Sequence, residues 1–187
     1  MEKMKLYMCL LGCTPEGRHT EQHDIFFGVA TELKELEPDI INFWPEAKGK
    51  IHIDAWREVQ QVDGYDITVK DKEDIQSNTS TERLFFINLG GYKENEFDEF
   101  HYKFLAVAAD KGVAVQQAKQ TAFYKHMGFE KASSHIDDKY GVDVDDIYAI
   151  EDILTEECKQ QFSLQITKAT SIHEDALQMG YFKLDKL

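Results

Sequence analysis

The run Leu6-Tyr7-Met8-Cys9-Leu10-Leu11-Gly12 decides how this chain is read, because it returns farther along as Leu84-Phe85-Phe86-Ile87-Asn88-Leu89-Gly90. The two glycines stand 78 positions apart (90 − 12), and the same offset pairs Glu21 with Glu99, His23 with His101, Val29 with Val107 and Ala30 with Ala108. From Leu6 to Ala30 the register holds over 25 residues without a gap. Self-similarity at a fixed spacing is the signature of a repeated structural unit. A second landmark, His52-Ile53-Asp54, returns as His135-Ile136-Asp137, now 83 positions apart (135 − 52). Lys3 and Lys5 ahead of Leu6–Leu11, with Leu10-Leu11-Gly12-Cys13 behind, imitate a lipoprotein leader. The apolar run is shorter than the roughly 7–15 residues a leader needs, and its internal copy cannot be one, so both runs read as buried strands.

Working outward, each copy reads as strand, strand, helix, strand, strand. After the first strand and a polar loop, Ile25–Ala30 and Phe104–Ala109 form the next apolar runs. A helical pattern follows. In the first copy Leu33, Leu36, Ile40 and Phe43 share a face after Thr31 as N-cap, with Pro38 breaking or restarting the helix. In the second, Val115, Ala118 and Ala122 share a face after Asp110 as cap. Asp63-Gly64 between Trp56–Val62 and Tyr65–Val69 is the strongest short hairpin signal. The second copy replaces that turn with a strand at Ile147–Ile153, a short helix at Thr155–Gln161 and a returning strand at Phe162–Thr167. The expected fold is therefore α+β: a tandem duplicated unit with pseudo-twofold symmetry, mostly antiparallel sheet, helices on one face. The first unit spans 1–76, the second 77–168, with the boundary in the polar stretch Lys70–Arg83. The tail, 169–187, reads as a short helix around Glu174–Phe182 or as a cover for a neighbouring chain.

The chain has 187 residues, 42% of them hydrophobic, and such a length can bury roughly 70% of its unfolded surface without disulfide or metal. Against 21 Lys and Arg stand 35 Asp and Glu, a formal charge of −14 that repels nucleic-acid phosphates and anionic lipid. Nucleic acid and membrane are accordingly excluded as partners, and no apolar run approaches the roughly 18 residues of a membrane span. Cys9, Cys13 and Cys158 form an odd set without CxxC spacing, as expected for reduced thiols of a cytoplasmic protein.

Leu10–Cys13 with Glu21–Gly28, Leu84–Tyr92 and His135–Asp143 carry a resemblance to a bacterial family, domain of unknown function 1543, whose members hold one or two copies of such a unit. The resemblance spans most of the chain up to about Ile166 and implies no reaction, ligand or cofactor.

Chemistry-bearing residues cluster at the landmarks. Glu21 with His23, Glu99 with His101, His52 with Asp54, and His135 with Asp137 are each two apart, and such pairs project from one face of a strand. Groups of this kind from different strands can assemble an oxygen and nitrogen site for zinc, manganese or iron. The competing reading is structural: a histidine at a strand end ties down a loop through a carboxylate. Asp137, Asp138, Asp143, Asp145 and Asp146 read as a solvated acidic turn, since their spacing does not follow a calcium loop. Gly12, Gly90 and Gly91 lack the phosphate-loop patterns and read as tight turns. Arg18 and His19 could meet an anion, and Cys13 and Cys158 are thiols without an evident base.

Two functions fit. One is a non-catalytic ligand-binding or protein-assembly module, compatible with a homodimer and with a small molecule or protein as partner. The alternative is a metal-dependent, hydrolase-like enzyme using His and Asp side chains from both repeats. The sequence alone leaves enzyme status open and identifies no cofactor.

Overall fold

The computed structural model describes residues 3–74, 80–92, 97–120 and 142–187. In chain order the strands are β1 (Lys5–Cys13), β2 (Gln22–Ala30), β3 (His52–Glu58), β4 (Gln61–Val62), β5 (Tyr65–Asp71), β6 (Arg83–Tyr92), β7 (Glu99–Ala108), β8 (Val142–Ala149), β9 (Phe162–Lys168) and β10 (Gln178–Lys183). Helix α1 (Glu37–Phe43) lies between β2 and β3, and α2 (Lys111–Lys119) follows β7. Strand pairings among the described residues are antiparallel, so the fold is α+β with mostly antiparallel sheet, as expected. Its contacts divide into two units, Met1–Asn78 with Ile153–Leu187, and Thr79–Asp152.

In the first unit β1 lies between β2 and β3, and β10 adds to the far side of β3. Strand alternation sends Tyr7, Cys9, Leu11 and Cys13 to one face, where they pack with Phe26, Ala30, Ile53 and with Leu36 and Ile40 of the helical segment. Pro38 restarts the helix: a 3-10 turn at Leu33–Leu36 gives way to α1 with proline in its first turn. The cap differs from expectation, because the Glu35 carboxylate folds back to accept from Thr31 N, Thr31 Oγ1 and Glu32 N. Asp63 and Gly64 take left-handed φ of 53° and 76° and join β4 to β5, the two-residue turn their sequence called for.

Phe162–Thr167, expected as the returning strand of the second copy, lies within β9 and pairs along its length with β5 of the first unit. Its alternation explains the choice, since Phe162, Leu164 and Ile166 are buried with Ile67 and Val69 of β5. The tail is a strand rather than the expected helix. β10 pairs with β3 and supplies Phe182, followed by Leu184 and Leu187, to the first core.

The second unit repeats the three-strand arrangement, with β6 between β7 and β8. Its core joins Phe85, Ile87 and Leu89 of β6 to Ala106, Ala108 and Ala149, covered by Ala114 and Ala118 one turn apart on α2. Asp110 caps α2 as expected, its side chain accepting from Val113 N at 2.9 Å. The landmark His135-Ile136-Asp137 lies outside the described residues. In the ladder, the positions that His52, Ile53 and Asp54 hold against β1 are held against β6 by Asp143, Val144 and Asp145. These aspartates therefore stand on β8, not in an acidic turn.

All three cysteines are free and buried. Burial pushes the Cys9 thiol up to about 12, and the Cys13 thiol is raised by burial and then by Glu21, so neither is an activated nucleophile. Leu11→Ala, at a fully buried β1 position, should cost about 2–5 kcal/mol in urea unfolding. DTNB at pH 8 should leave the native thiols unlabelled over minutes and label all three after denaturation. Rapid labelling of native Cys9 would contradict the closed core.

Candidate functional site

The site begins with an irregularity in the ladder. Along β1, Leu10 pairs with Ala55 but Leu11 pairs with Ile53, so Asp54 is an extra residue on β3. Such a bulge shifts the alternation by one, which lets Ile53 and Trp56, three apart, both pack toward the helix-covered core. On the other face, Gly12 of β1 lies directly opposite His23 of β2 on one side and His52 of β3 on the other. Glu21 precedes β2 by one residue. Four side chains on or next to β2 and β3, the strands on either side of β1, thus meet above one glycine.

Their polar atoms interleave. His23 Nε2 is 3.1 Å from Asp54 Oδ2 and 3.7 Å from Glu21 Oε2. His52 Nε2 is 3.1 Å from Asp54 Oδ1 and 3.2 Å from Glu21 Oε1. Each imidazole offers the same nitrogen to both carboxylates. Glu21, His52 and Asp54 can each present one donor atom within 4.8 Å of the others, and His23 adjoins them through the second oxygen of each carboxylate. His52 is buried, 5% exposed, and its ring stacks on Tyr181 of β10 at 4.1 Å with planes 28° apart. Asp54 Oδ2 is sealed from solvent and has no hydrogen-bond partner of good geometry. A buried carboxylate oxygen in that state is costly unless a cation or proton answers it.

Gly12 has a different role from the tight turn expected of it. It lies inside β1, and a Cβ added there would come within 2.6 Å of both Asp54 Oδ2 and His52 Nε2. Glycine is required because the cluster rests against the strand backbone.

The second unit carries a related constellation. The bulge falls between Asn88 and Leu89, leaving Asp145 as the extra residue on β8, and Gly90 lies opposite His101 of β7. A Cβ on Gly90 would overlap the Asp145 carboxylate. His101 Nδ1 is 3.3 Å from Asp145 Oδ2 and His101 Nε2 is 3.9 Å from Glu99 Oε2. Asn88 Nδ2 lies 3.3 Å from His101 Nδ1 and 3.5 Å from Asp146 Oδ2.

Of the residues singled out in the sequence, Glu21, His23, His52 and Asp54 come together in one unit, and Glu99 and His101 in the other. His135 and Asp137 lie outside the described residues. Asp145 and Asn88 were missed as site residues. The signal for Asp145 is the apolar pair Val144 and Ile147, three apart like Ile53 and Trp56, which marks a bulge with an aspartate in it.

Among the described residues, no helix is long and apolar enough to cross a membrane. No curated protein matches the chain. A crystal structure of a protein Il1583 from Idiomarina loihiensis is similar in fold, with a TM-score of 0.62 and 21% identity over 97% of each chain. Residues 18–69, which contain Glu21, His23, His52 and Asp54, match the model of the family described as Domain of Unknown Function (DUF1543), in agreement with the resemblance read from the sequence.

Proposed function

We propose that this chain is a metal-binding protein whose ligand is a divalent ion of the zinc class, held by Glu21, His23, His52 and Asp54. The observation that carries the reading is that Glu21, His52 and Asp54 present donor atoms within 4.8 Å of one another, with His23 Nε2 3.1 Å from the second Asp54 oxygen, beside a glycine whose Cβ would collide with Asp54 and His52. Two imidazoles with two carboxylates suit zinc and its neighbours in the first transition row, whereas an all-oxygen set would suit magnesium or calcium. Coordination through Nε2 requires each ring to carry its proton on Nδ1. The stacked Tyr181 ring fixes the plane of His52, so that ligand is oriented before the ion arrives. This is the binding-module reading with its ligand specified. The setting is the cytoplasm, supported by three unpaired, buried cysteines.

Protein purified without a tag and stripped with EDTA should take up one Zn2+ per chain at this site. At free Zn2+ of about 100 times Kd the folded state should gain about 2.7 kcal/mol, read as a rise in the thermal midpoint. The double variant His23→Ala/His52→Ala should lose that rise, and an unchanged rise would remove the assignment. Gly12→Ala gives an independent check. An alanine in a strand is otherwise close to neutral, so the far-UV spectrum should persist while the Cβ displaces Asp54 and His52 and weakens Zn2+ binding by about 10-fold or more.

A further inference from the structure

At the offset of 78 that relates β1 and β2 to β6 and β7, most polar residues have diverged: Gln22 stands against Phe100, Asp24 against Tyr102 and Thr20 against Asp98. From Leu6 to Ala30 the polar identities at that offset are Glu16 with Glu94, of which Glu94 lies outside the described residues, and, among the described residues, Glu21 with Glu99 and His23 with His101. The latter two pairs belong to the clusters beside the bulges, where Gly12 with Gly90 is likewise identical and Asp54 is answered by Asp145. Apolar identities such as Leu11 with Leu89 or Phe26 with Phe104 follow from packing. The polar ones do not, since the Glu99 and His101 side chains are 36% and 39% exposed and lie outside the core.

We propose that Glu99, His101 and Asp145 form a second cation site, selective for a harder, oxygen-seeking ion such as Mn2+ rather than for the zinc-class ion of the first unit. The three residues can each present one donor atom within 4.8 Å of the others. Two differences from the first cluster set the selectivity. The first is donor chemistry. The ladder position of the buried imidazole His52 is held here by Asp143, leaving one imidazole and two carboxylates among the ligands, and carboxylates favour Mn2+ and Mg2+ where imidazoles favour zinc. The second is openness. The His101, Glu99 and Asp145 side chains are 39%, 36% and 31% exposed, much like His23, Glu21 and Asp54 at 41%, 44% and 27%, but among the described residues the second cluster has no counterpart of the His52 imidazole, 6% exposed, and so leaves room for the waters that a six-coordinate hard cation retains.

This inference rests on the zinc-class reading only for the contrast between the two sites, and the test separates them. EDTA-stripped protein is first given one equivalent of Zn2+, then titrated with Mn2+ while the electron paramagnetic resonance signal of free Mn2+ is followed. The Zn2+-loaded protein should remove one further equivalent of Mn2+ from solution. Asp145→Asn should weaken that uptake by about 10-fold or more and leave Zn2+ uptake unchanged, while His52→Ala should do the reverse. Glu99→Gln, at a largely exposed position, serves as a second variant should Asp145→Asn unfold. Retained Zn2+ binding with all Mn2+ left free, or Mn2+ uptake indifferent to both unit-two variants, overturns the second site alone. Mn2+ uptake lost in Asp145→Asn but no Zn2+ uptake in the wild type sinks the first reading and spares this one.

Discussion

Everything at the candidate site depends on one residue too many. In a regular ladder, His52 and Asp54 would lie on one face and Trp56 would follow them there. The extra residue between Ile53 and Ala55 resets the alternation, so Trp56 turns back to the core while Asp54 stays beside His52. A bulge also increases local twist and bends its strand. Here it brings the Asp54 carboxylate over the backbone of Gly12, between the imidazoles of two neighbouring strands. The same device at Asn88 and Leu89 delivers Asp145 onto Gly90. The hydrophobic core and the polar cluster are therefore not independent designs. The phase of the apolar residues on β3 determines which polar residue is left over for the site.

The parts of this fold set by local chemistry were legible in the sequence. Asp63-Gly64 needs left-handed φ at both positions and announced its turn, Asp110 announced a helix start, and the apolar runs at Leu6 and Leu84 announced strands. Partnership across long separations was not legible. Nothing in Phe162–Lys168 as a string says that it pairs with Tyr65–Asp71 rather than with its nearer neighbours, because any alternating apolar strand offers the same ladder of donors and acceptors. The tail misled for a related reason: Met179, Tyr181 and Phe182 around a glycine fit an amphipathic turn as well as an edge strand, and β3 decides between them.

The site was half legible. Period-two pairs placed Glu21 with His23 and His52 with Asp54, but not the pairing of strands that brings the two pairs together within the first unit. A short His-Ile-Asp triplet outweighed the ladder, which equates His52-Ile53-Asp54 with Asp143-Val144-Asp145 and so exchanges an imidazole for a carboxylate. Glycines that follow apolar runs were read for conformational freedom when their value is the missing Cβ. Only the neighbouring strands, which a linear reading does not see, reveal what fills that space.

The first unit is discontinuous, its two parts separated by the whole of Thr79–Asp152. As the chain leaves the ribosome, the second unit has β6, β7 and β8, its strands among the described residues, once Ala149 has emerged, whereas the first still lacks β9 and β10. Chains fold as their segments become available, and contacts between distant segments close late. During synthesis the second unit can therefore settle first, although its sequence comes later than β1 to β5. The strand that lays Tyr181 on His52 emerges after the whole of the second unit, so this arm of the first cluster is completed only after that unit has been made.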